Sequence, residues 1–130
     1  MNEALTQKVI ERARAAAAKD HLAVCIAVVD PSGLLCGFLR MDDTLLGSID
    51  ISIKKARTAV LFKSDSADLG VKAQPGGPLY SLENSNGGLI SFGGGILIHD
   101  KSGRIIGAIG VSGAAVEEDE AIARAGAGRP

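Results

Sequence analysis

Every residue from Leu22 to Val29 is apolar, and after the turn Asp30-Pro31-Ser32-Gly33 the run from Leu34 to Leu39 again carries no polar side chain. Two short unbroken apolar runs about a tight turn describe a hairpin covered on both faces, because a sheet with one wet side would alternate polar and apolar residues. A chain with such a hairpin must place other elements above and below it. Residues 2–19 supply one, a helix with Leu5, Val9, Ala13 and Ala16 on a narrow apolar stripe. Residues 46–63 supply another, with Ile49, Ile53, Ala56 and Val60 in a stripe and Asp50 four residues before Lys54. The mixed flank of that helix, Ile51, Lys55, Thr58 and Phe62, points to partial burial of Lys55 and Thr58.

The remaining segments complete a three-layer α/β/α sandwich of the α+β kind. A short helical turn capped by Ser66 is expected over 66–72, strands over 88–92, 95–99 and 104–111, and a last helix over 114–125 whose early acidic residues Glu117, Glu118, Asp119 and Glu120 suit a helix N-terminus. The order is αββααβββα. The tail 126–130 is expected to fray. With 130 residues and no linker or repeat, residues 1–130 form a single domain.

Composition excludes several function classes. Four aromatic residues and a net charge of −1 leave neither stacking platform nor basic surface for nucleic acid. No apolar run is long enough for a membrane span, and the acidic, polar start does not resemble a signal peptide, so the expected location is cytoplasmic, with no membrane partner. Cys25 and Cys36 flank the turn, and pairing Cys25 with Phe38 and Cys36 with Ala27 sets the thiols diagonally at about 7–8 Å, too far for a disulfide. Both are read as small buried apolar residues. Residues 75–95 hold seven of the 17 glycines, a density that either shapes a concave site or permits very close packing.

Six stretches taken in order, Ile26-Ala27-Val28-Val29-Asp30, Phe38-Leu39-Arg40-Met41-Asp42, Lys55-Ala56-Arg57-Thr58-Ala59, Pro75-Gly76-Gly77-Pro78-Leu79, Phe92-Gly93-Gly94-Gly95 and Ile106 through Gly113, resemble the GlcG/HbpS family, which includes the C-terminal domain of PduO-type proteins. The resemblance covers about residues 4–125. It implies a profilin-like fold, with a five-stranded antiparallel sheet between helices on both faces, and a homo-oligomer, and it links the chain to haem binding, haem degradation or corrinoid metabolism. The apolar sheet and Ala-rich first helix point to an oligomer as well.

Candidate site residues follow from this. His21, at the junction of the first helix and strand, and His99, at a strand end, are the imidazoles that could ligate haem iron; the resemblance implies a histidine shared between subunits, and His21 is the candidate. The rival reading of each is a surface histidine at an element end. Arg40, Asp42, Lys55 and Thr58 could form a polar pocket for a carboxylate or propionate, with Pro75, Gly76, Gly93, Gly94 and Gly95 as its glycine-rich wall. The alternative is a structural ion pair joining Arg40 or Lys55 to Asp42 or Asp119, since Asp119 shares the helical face of Ile122 and is placed to point inward. The glycine triplet lacks the spacing of a phosphate loop, and no hydrolase elbow or zinc motif occurs. The leading expectation is an oligomeric binder of haem or another carboxylate-bearing small molecule. An enzyme using Lys55 or Asp119 for proton transfer and a docking module are the alternatives.

Overall fold

The computed structural model describes all residues, Met1–Pro130. Its elements are α1 (Glu3–Lys19), β1 (Cys25–Val29), β2 (Leu35–Arg40), α2 (Ser48–Phe62), α3 (Ser66–Ala73), a 3-10 turn (Leu82–Asn84), β3 (Gly95–His99), β4 (Ile105–Ser112) and α4 (Val116–Ala127). The Asn2 side chain accepts the Leu5 N–H and starts α1; Lys63 and Gly128, both left-handed, end α2 and α4. One antiparallel sheet runs in the order β2-β1-β4-β3. Alternation along its strands sorts the core into two layers. Val24, Ile26, Val28, Ile96, Ile98, Ile109 and Val111 meet α1 and α4, whereas Val29, Leu97 and Ala108 meet Ala56, Ala59 and Val60 of α2.

The sheet has four strands rather than five, because residues 88–92 form no strand. The outer edge of β3, where a fifth strand would pair, is already occupied by side chains. Ser66 Oγ accepts the Gly95 N–H, Asp65 Oδ1 accepts the Leu97 N–H, and the Arg129 guanidinium donates to Leu97 O. Segment 88–92 is tied elsewhere, its Ile90 N–H donating to Thr58 Oγ1 at 3.1 Å. Ser66 therefore plugs an edge instead of capping α3, whose N-cap is Asp65. The tail is anchored too, since Arg129 Nη1 reaches Asp65 Oδ1 at 2.9 Å.

β1 is buried along its whole length, but β2 is not covered on both faces: Leu35, Cys36 and Arg40 are exposed. β2 lies at the end of the sheet, and α2 crosses β1, β4 and β3 instead. The hairpin register is also displaced by two residues from the expected one. Cys25 lies opposite Arg40 and Ala27 opposite Phe38, with a bulge between Val28 and Val29 that leaves Cys36 as the extra residue. Both thiols are free, Cys25 buried and Cys36 exposed.

The buried face of α2 is rotated from the expected stripe. Ile49 and Ile53 are half-buried, while Ser48, Ser52, Lys55, Ala56 and Ala59 face inward. Small residues there let the helix backbone lie directly on the sheet: a Cβ at Gly110 would collide with Ser52 O. That close approach carries Lys55 into the interior.

Candidate functional site

Lys55 is the largest fully buried side chain of the molecule. Its Nζ donates to Val111 O at 2.8 Å and to Asp119 Oδ2 at 3.1 Å, and lies 5.0 Å from the centre of the Phe92 ring. One carbonyl, one carboxylate and one aromatic face thus surround the ammonium. Asp119 sits in the first turn of α4, where its other oxygen accepts the Ala114 N–H at 3.0 Å, and Glu118 accepts the Ala115 N–H. Burial pushes the Lys55 ammonium below its ordinary range, and burial also raises the Asp119 carboxyl; their mutual attraction opposes both shifts.

The glycine triplet makes room for this pair. Gly94 has φ +120°, and a Cβ there would stand 2.6 Å from Val111 O and 2.7 Å from Lys55 Nζ. Its N–H donates to Glu120 Oε1 at 2.8 Å. Gly93, Gly94 and Gly95 are all buried, so the triplet serves close packing. Pro75 and Gly76, by contrast, are exposed at a loop tip with open space around Gly76.

The four polar residues expected in one pocket are not brought together. The sheet order puts β2 and β3 at opposite edges, so Arg40 and Asp42 stay exposed beside β2 while Lys55 reaches toward β4 and the start of β3. Arg40 and Asp42 line a hollow of about 600 Å³ with Asp43, Thr44 and Leu46. Thr58 is buried, donates to Lys54 O and holds the 88–92 segment. Of the ion pairs considered from sequence, the one formed is Lys55 with Asp119. Its signal was legible in the inward helical faces of both residues.

His21 follows α1 in a left-handed turn with φ 57° and is exposed; its backbone N–H donates to Ala18 O at 3.0 Å, while its imidazole makes no hydrogen bond within the chain. Its neighbours Asp20 and Leu22 line a groove of about 210 Å³ between α1 and α4, together with Ala16, Ala121 and Ile122 and the acidic rim of Glu117 and Glu118. His99 is exposed where β3 ends at the Asp100 turn. A further open hollow of about 620 Å³ lies beside the start of α1, lined by Met1, Asn2, Glu3, Ala4, Thr6 and Cys36. No cluster of metal-ligating side chains is present, and no helix is long and apolar enough to cross a membrane.

Residues 1–128 match the family described as haem degrading protein HbpS-like. The chain belongs to this family. The HbpS-like chain is 38% identical over 121 residues to corrinoid adenosyltransferase PduO of Salmonella typhimurium, a match covering 92% of this chain and 34% of that protein. It thus spans about a third of that relative. Among solved structures it is similar to Klebsiella pneumoniae protein ORFY, with TM-score 0.94, 33% identity and coverage of 98% and 88% of the two chains. It is equally similar to PduOC in a haem complex, with TM-score 0.93, 33% identity and coverage of 98% and 93%.

Proposed function

We propose that this protein binds haem, or a tetrapyrrole of the same class, on the open face where α1 meets α4, with the His21 imidazole as the iron ligand. The observation that carries the reading is the similarity, over nearly the whole chain, to a protein solved as a haem complex. The residues present fit such a group on an open face. His21 offers an imidazole with neither ring nitrogen engaged, beside a groove floored by Ala16, Leu22, Ala121 and Ile122. His99 has no comparable apolar groove lined by its neighbours.

At about 210 Å³ the groove is smaller than the roughly 300–1,000 Å³ of ordinary small-molecule sites, so it covers only part of a macrocycle and a second copy of the chain completes the enclosure. Asp20, Glu117 and Glu118 on its rim would disfavour a carboxylate at the groove itself. Bound haem would supply a redox-active iron; this chain would contribute the His21 imidazole as its ligand and an apolar wall. The enzyme alternative draws less support, because Lys55 and Asp119 are sealed from solvent and line none of the cavities described above.

Haem titration followed by the Soret band tests the proposal. Wild type and His99→Ala should give the same saturable band, and His21→Ala should shift or lose it. Stoichiometric haem with an unaltered spectrum in His21→Ala would assign the iron to another group.

A further inference from the structure

The loop between α3 and β3 carries a reactive pair of residues outside the groove assigned to haem. Ser85-Asn86-Gly87-Gly88 is a tight turn closed by the Gly88 N–H, which donates to Ser85 O at 2.9 Å, and its central residues Asn86 and Gly87 are both left-handed, with φ 53° and 72°. Both are exposed, and nothing lies within 4 Å of a Cβ placed on Gly87. The Gly87 N–H makes no hydrogen bond within the chain, so it has none to surrender. The Asn86 amide is held beside the turn, its Nδ2 donating to Ser85 Oγ at 3.0 Å. On the carbonyl side of the same peptide group, Arg57 Nη2 donates to Asn86 O at 3.2 Å. Arg57 forms no ion pair, so this carbonyl has the guanidinium without a competing carboxylate.

We propose that Asn86 is a self-modification site, deamidated through attack by the Gly87 backbone nitrogen, with Arg57 as the residue that activates it. Solvent water takes the proton from Gly87 N, and that nitrogen attacks Asn86 Cγ. The new N–Cγ bond closes a succinimide ring as the Cγ–Nδ2 bond breaks, and Nδ2 leaves with a proton from water as ammonia. A second water opens the ring at Cγ to give aspartate, or at the backbone carbonyl to give isoaspartate. Water is the only co-reactant. Glycine has no Cβ to obstruct the approach and lets the peptide plane turn, and the attack is intramolecular. Loss of the Gly87 proton places negative charge on Asn86 O, where the Arg57 donor already sits, as a donor aimed at a developing oxyanion does. The other two asparagines lack this combination: Asn2 precedes Glu3 and accepts the Leu5 N–H, and Asn84 precedes Ser85. The product sets a carboxylate beside Arg57, and the isoaspartate form adds a methylene to the backbone of a turn built for a tight closure.

Incubation of the folded, haem-free protein at mildly alkaline pH, followed by peptide mapping, tests this. Fragment spectra separate Asn86 from Asn84, and enzymatic carboxyl methylation counts isoaspartate. Asn86 should gain the mass of an amide exchanged for an acid, as a mixture of isoaspartate and aspartate, about tenfold or more faster than Asn84. Asn86→Gln, whose longer side chain closes a less favourable ring, should remove the isoaspartate. Arg57→Gln should slow the reaction of the folded chain about three- to tenfold, the worth of one exposed charge-assisted hydrogen bond, and leave the rate in urea unchanged. Arg57→Lys, which keeps the charge, should retain most of the wild-type rate. Asn86 reacting no faster than Asn84 overturns the site. Equal rates in folded wild type and Arg57→Gln, or a slowing that persists in urea, overturn the role given to Arg57. Because haem is absent, failure of the haem reading leaves these results unaffected.

Discussion

Replacing Lys55 with Met keeps most of the side-chain volume and removes only the ammonium, so the cost is electrostatic rather than one of packing. Asp119 Oδ2 then loses its donor while Oδ1 keeps the Ala114 N–H, and Val111 O loses a bond of 2.8 Å. Both members of the pair are nearly inaccessible, Lys55 at 0% and Asp119 at 2%. Stripping one partner from such a pair costs about 3–5 kcal/mol, a large share of the roughly 5–15 kcal/mol that stabilises a domain. For a domain of this size that corresponds to a fall in Tm of roughly 10–20 °C. Urea denaturation of wild type, Lys55→Met, Asp119→Asn and the double variant measures it. The double variant should cost less than the sum of the singles by at least about 1 kcal/mol.

The pH dependence has a definite sign. Without Lys55, burial holds the folded-state pKa of Asp119 above its unfolded value, so the folded state of the variant favours the neutral acid. That contribution is complete below the unfolded pKa and is lost as pH rises through the folded one. The deficit of Lys55→Met relative to wild type should therefore shrink on acidification. A loss below about 1 kcal/mol at neutral pH, or additive single effects, would refute a buried staple joining α2, β4 and α4.

Gly94→Ala and Gly76→Ala both place an alanine at positive φ, but only at Gly94 does the new Cβ meet Val111 O and Lys55 Nζ. Strain alone should cost Gly76→Ala about 1 kcal/mol, and Gly94→Ala should lose at least about 2 kcal/mol more; equal denaturation midpoints would contradict the close approach. Arg129→Ala removes the partly exposed clasp on Asp65 and Leu97, for about 1 kcal/mol, and should speed hydrogen exchange at the Leu97 amide. An unchanged exchange rate there would mean that the tail does not guard the β3 edge.

Much of this architecture is legible in the sequence. Apolar runs about Asp30–Gly33 gave the hairpin, helical spacing gave α1, α2 and α4, and six ordered motifs gave the family, because these signals are local or carried by residue identity. The inward position of Asp119, on the helical face shared with Ile122, was equally readable. Other features depended on which parts of the chain meet. Residues 88–92 have the composition of a strand, yet Ser66, Asp65 and Arg129 occupy the neighbouring edge of β3. The apolar run 34–39 reads as doubly covered, yet its place at the end of the sheet leaves β2 open. Lys55 was separated from Arg40 and Asp42 by strand order, and buried because Ser52, Ala56 and Gly110 let α2 settle onto the sheet. Sequence determined the elements and their polarity; tertiary structure decided edges, register and charge pairing, because hydrogen-bond vacancies and desolvation arise only once distant segments are packed together.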